Sequence, residues 1–98
     1  MSSVAANAAQ TKLSEAAVFS VYARAEPGVM PRVLGLFAKR GLVPSSWHSA
    51  VSATDRQQLR IEIEMHGLNP DITEYIAACL RQIVSVEKVL TMSRDHRL

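Results

Sequence analysis

The chain has 98 residues, 48% of them apolar and 20% charged, with a formal net charge of +2. That length suits one domain with a small core, and a core that size gains from a partner chain that buries more surface. Lys39, Arg40, Arg94 and Arg97 are scattered or terminal, with no aromatic platform among them, which argues against a nucleic-acid binder.

Residues 1–16, MSSVAANAAQTKLSEA, lack the basic start and continuous apolar stretch of a signal peptide and read as a flexible leader. Residues 17–24 alternate, with Phe19, Val21 and Ala23 on one side and Ser20, Tyr22 and Arg24 on the other, the pattern of a half-buried strand. A Pro27-Gly28 turn follows, then a helix through about Lys39 whose stripe is Val29, Val33, Leu36 and Phe37. Pro31 is tolerated in the first turn, where its missing N–H costs nothing. Gly41 fits the position just past the helix end.

Residues 42–53 form a weaker strand; Pro44 and the serines place it at a sheet edge. After a polar turn, Leu59, Ile61, Ile63 and Met65 alternate with Arg60, Glu62 and Glu64, giving a strand with one polar face. Asn69, Pro70 and Asp71 read as N-cap, first helical position and acidic first turn. Ile72, Ile76, Leu80 and Ile83 then mark a second amphipathic helix. Residues 84–92 supply a last strand, and residues 93–98 a tail. The order βαββαβ predicts an α+β ferredoxin-like sandwich over residues 17–92: an antiparallel four-stranded sheet with both helices on one face and the second and fourth strands at its edges. Many functions share that fold, so function has to come from a site.

No catalytic residues emerge. His48, His66 and His96 lie in different segments with no second ligand at metal-binding spacing. Glu62 and Glu64 share a solvated strand face beside Arg60, an arrangement unlike an acid–base pair. Cys79, the single cysteine, excludes an internal disulfide and a CxxC pair, fits a cytoplasmic setting, and reads as a buried small apolar residue. Gly28, Gly35 and Gly41 are too widely spaced for a phosphate cradle. No apolar run approaches membrane-spanning length. Two features carry more. The turn at Pro27-Gly28 offers the backbone N–H groups of Gly28, Val29 and Met30 at a positive helix end, either as a plain helix start or as a carboxylate site worth about 0.3–1 kcal/mol. Trp47, on the expected edge strand, is either a core aromatic or an anchor at a protein contact.

The run PGVMPRVLGLFAKRG from Pro27 to Gly41 resembles the turn and first helix of ACT domains, and the likeness continues to IVSVEKVLTM, over about 75 of the 98 residues. The stretches RGLVPSSWHSAVS and VSVEKV are most similar to the short small, regulatory subunits of acetolactate synthase. The resemblance implies a non-enzymatic, cytoplasmic homodimer with no cofactor of its own. It also implies binding and activation of a large catalytic subunit in branched-chain amino-acid biosynthesis, and that subunit would carry thiamine diphosphate, FAD and Mg. By the same resemblance an amino-acid effector sits between two chains, at Ala25, Glu26, Pro27, Gly28, Val29 and Met30 of one and Val43, Pro44 and Ser45 of the other. Val43, Trp47 and Ser49 fall at the dimer interface. Valine-responsive relatives carry asparagine where this chain has Ala25 and Val43, which implies weak or no valine feedback. The alternative is a stand-alone ACT module that binds another amino acid or small metabolite.

Overall fold

Strict alternation in LRIEIEM becomes the backbone of the sheet. The computed structural model describes residues 15–95 as β1 (Glu15–Arg24), α1 (Val29–Lys39), β2 (Ser46–Val51), β3 (Gln58–His66), α2 (Pro70–Arg81) and β4 (Val86–Asp95). The four strands make one antiparallel sheet in the order β2-β3-β1-β4, so β2 and β4 are its edges. Most of the expected leader and the end of the expected tail lie outside the described residues.

The core lies between the sheet and the two helices. Phe19, Val21 and Ala23 of β1 and Leu59, Ile61, Ile63 and Met65 of β3 meet Val29, Val33 and Phe37 of α1 and Ile76, Ala77 and Leu80 of α2. Phe19 and Phe37 pack edge to face, centroids 5.8 Å apart at 71°, and tie α1 to the central strand. Ile72, expected on the α2 stripe, is instead 42% exposed at the first turn, while Ala77 takes a core place.

α1 stops and α2 starts on the signals in the sequence, while α2 ends at Arg81, short of Ile83. Gly41 has φ +70°, its N–H donates to the Ala38 carbonyl, and the Leu42 N–H donates to the Phe37 carbonyl. These are the paired bonds of a Schellman ending, with Leu42 folded back against the core. Asn69 caps α2, its side chain accepting from the Ile72 N–H at 2.8 Å.

Pro44 lies outside the edge strand it helped to predict, because β2 spans only six residues. The outer face of the sheet is less polar than the alternation implies. Val18 and Ala16 of β1 are buried on it at 1% and 2% exposure. Glu64, the partner of Val18 on β3, reaches over β1 to Arg94, the partner of Ala16 on β4, and their 3.2 Å ion pair roofs the two apolar side chains. Farther along, Tyr22 lies between Lys88, 4.6 Å from its ring centre, and Arg60 at 5.9 Å.

Candidate effector and pairing site

The turn before α1 is held by the ends of three strands. Ala25 donates its N–H to the Gln57 carbonyl beside β3, and Arg24 donates its own to the Ser85 carbonyl ahead of β4. The Glu26 carboxylate accepts from the Ser85 hydroxyl and pairs with Arg24 Nε at 3.4 Å. That Ser85 hydrogen bond, together with the Arg24 and Arg32 charges, lowers the Glu26 pKa. Ser85 itself has φ +80°, a left-handed conformation unusual outside glycine, and its contacts to Arg24 and Glu26 hold it there. No local signal in the sequence marks it.

Of the three backbone donors expected at the helix front, Val29 is already used: its N–H goes to the Glu26 carbonyl at 3.1 Å. The N–H groups of Gly28 and Met30 remain without a partner among the described residues. Gly28 caps α1 with an ordinary φ of −77°, so its backbone does not demand glycine. The space above it is tight instead, since an added Cβ would stand 3.2 Å from Arg32 Nη1. The turn is therefore framed by the charges of Glu26, Arg24 and Arg32, and Ala25 contributes no polar side-chain atom.

Val43, Pro44 and Ser45 lie at the other end of the sheet. Ser45 is pinned there, its N–H and hydroxyl both donating to the Glu64 carbonyl, at 2.8 and 3.0 Å. Glu64 pairs with Val18 near the start of β1, whereas the α1 turn follows the end of β1 and adjoins Gln57. One chain thus keeps the two halves of the expected effector site apart.

The β2 edge carries a second feature. Trp47 stands opposite Ile63 and packs half-buried against the core. Ser49 is exposed beside it. On the side of α1 that faces away from α2, Met30 and Leu34 are 37% and 48% exposed, and along the β2 segment Val43 and Val51 are 83% and 50% exposed. This apolar border beside an unpaired strand is what a pairing edge requires. The alternation of β2 did not reveal it, because half of it comes from the outward side of α1.

No group of three or more His, Cys, Asp or Glu residues suited to a metal occurs among the described residues. No helix among them is long and apolar enough to cross a membrane.

Comparison with known proteins agrees with this geometry. A family model described as an ACT-like domain matches residues 9–98. The small subunit of acetolactate synthase from Thermotoga maritima is 30% identical and superposes with a TM-score of 0.68, over 78% of this chain and 46% of that one. This chain therefore spans just under half of that subunit. The ACT domain of a GTP pyrophosphokinase from Chlorobium tepidum shares the fold at 13% identity and a TM-score of 0.67, over 79% of this chain and 96% of that one. The regulatory subunit of aspartate kinase from Thermus flavus does so at 16% and 0.58, over 86% and 53%. Among curated proteins none matches the chain. The βαββαβ sheet, the glycine turn opening α1 and a family match running through every described element lead to one conclusion: the chain belongs to the ACT-like domain family, regulatory modules rather than catalytic ones.

Proposed function

We propose that this ACT-like domain is a regulatory subunit that pairs with itself along β2 and α1, then binds and activates the large catalytic subunit of acetolactate synthase. The observation that carries this reading is the 30% identity to the Thermotoga maritima small subunit, against 13% and 16% to the Chlorobium tepidum and Thermus flavus proteins. Thiamine diphosphate, FAD and Mg would belong to the large subunit, and the pathway would be that of the branched-chain amino acids.

Symmetry supports the pairing. Two β2 edges joined antiparallel about a two-fold axis bring residues 43–45 of one chain toward the Val51 end of the other. That end lies by Leu59, near the turn of residues 25–30. A dimer of this kind unites the two half-sites that a single chain separates. Its effector site lacks both asparagines, having Ala25 and Val43. Each hydrogen bond to a charged group is worth about 1.5–3 kcal/mol, so losing two lowers affinity by a hundredfold or more. Valine feedback is therefore weak or absent. Activation then comes from assembly, since an effector shifts the enzyme only by binding one arrangement better than another.

Co-purification tests the reading. A tagged copy of this chain should recover the large acetolactate synthase subunit of the same organism. Failure to recover it, with saturable binding of another amino acid to the isolated chain, would favour the stand-alone sensor.

A further inference from the structure

We propose that the groove between α1 and α2 is the surface that receives the catalytic partner, and that it takes an acidic segment with an apolar face. The inference rests on the regulatory reading above and adds the contact surface to it. The groove, about 510 Å³, runs along the side of α1 opposite the pairing edge, so self-pairing leaves it open. Arg32, Lys39 and Arg40 line it, no carboxylate does, and none of the three enters an ion pair among the described residues. Arg32 also faces Glu26 across the α1 turn, but Lys39 and Arg40 have no carboxylate beside them in the groove, and an excess of one charge selects a partner of the other.

Arg40 is held in place across the groove. Its Nη1 donates to the Leu36 carbonyl at 2.9 Å, its Nη2 reaches the Tyr75 hydroxyl at 3.4 Å and Cys79 Sγ at 3.6 Å, and its guanidinium lies 5.5 Å from the Tyr75 ring centre. Leu36, Cys79 and Ile83 supply apolar lining, all only partly buried. A cationic rim over an apolar floor fits a protein segment better than a small anion, which has no use for the floor.

Gly35 supplies an independent observation. It sits inside α1, where glycine costs about 1 kcal/mol relative to alanine. A Cβ at Gly35 would meet nothing within 4 Å, so packing within the chain gives no reason for it. Its backbone opens into the groove, and close approach of another chain is a reason for glycine there.

The test uses the full chain and the purified large subunit. Alkylation of Cys79 by a maleimide, followed by mass spectrometry of this chain, should slow at least tenfold in the complex. Lys39→Glu and Gly35→Gln should each weaken the complex at least tenfold without changing self-association, and Lys39→Glu should flatten its salt dependence. Gly35→Ala should raise the thermal midpoint of the free chain, confirming that the chain itself does not need the glycine. If wild-type protein forms no complex, both the regulatory reading and the groove assignment fall. If the complex forms but Cys79 stays reactive and the variants bind as wild type, the groove assignment alone falls. Protection of Cys79 by an RNA oligonucleotide but not by the large subunit would likewise overturn it.

Discussion

Leu34→Ala tests the proposed pairing along β2 and α1. Leu34 lies outside the core and is 48% exposed in the single chain. Burying a whole leucine side chain is worth about 1.5–3 kcal/mol, so about half of that, 0.7–1.5 kcal/mol, is still to be gained at an interface. A two-fold interface contains the residue twice, which doubles the effect to about 1.5–3 kcal/mol. That corresponds to a rise of about tenfold to a hundredfold in the dimer dissociation constant. Sedimentation equilibrium over a range of concentrations measures it directly. Ile72→Ala is the control: Ile72 is exposed to a similar degree, 42%, but on α2, away from β2. The thermal midpoint at low concentration should move little in either variant. An unchanged dissociation constant for Leu34→Ala, or an equal loss with Ile72→Ala, would refute pairing along this edge.

Trp47→Ala should lower the stability of the chain itself by about 2–3 kcal/mol in urea denaturation, because the indole packs on the core before any partner arrives; a loss under 0.5 kcal/mol would make Trp47 purely an interface residue. Ser85→Ala should raise the Glu26 pKa, read by carboxyl NMR titration. Because that pKa is lowered in the folded chain, its stabilisation is present at neutral pH and lost as pH falls through the carboxylate range. The variant should therefore show a shallower acid-side loss of stability; an unmoved Glu26 titration would contradict the assigned cause. Restoring asparagine at both Ala25 and Val43 should strengthen valine binding by a hundredfold or more in calorimetry, and two exposed sites should accept it without loss of fold.

Much of the fold was legible because its signals are local. The alternation of β3, the Gly41 stop and the Asn69 cap each depend on residues within a few positions, and each appears as expected. What escaped depends on register and on distant partners. Val18 is buried on the outer face because Glu64 and Arg94, 30 residues apart, meet above β1. Cys79, expected as a buried apolar residue, is half-buried beside Arg40, 39 positions away. The helix-front turn was legible as a shape but not in its charge. Arg24 and Glu26 were in plain view in the sequence, yet Arg32 over Gly28 and Ser85 against Glu26 are products of folding. The proposed effector site was legible only through its family pattern, because residues 25–30 and 43–45 lie at opposite ends of one sheet and no local signal links them.

The central claim is that this domain regulates a catalytic subunit by joining it. Its most direct measurement is the rate of acetolactate formation by the purified large subunit as this chain is titrated in, without valine. The rate should climb and level off at a fixed stoichiometry, and added valine should leave the plateau nearly unchanged. A rate that stays flat at every ratio would contradict the account.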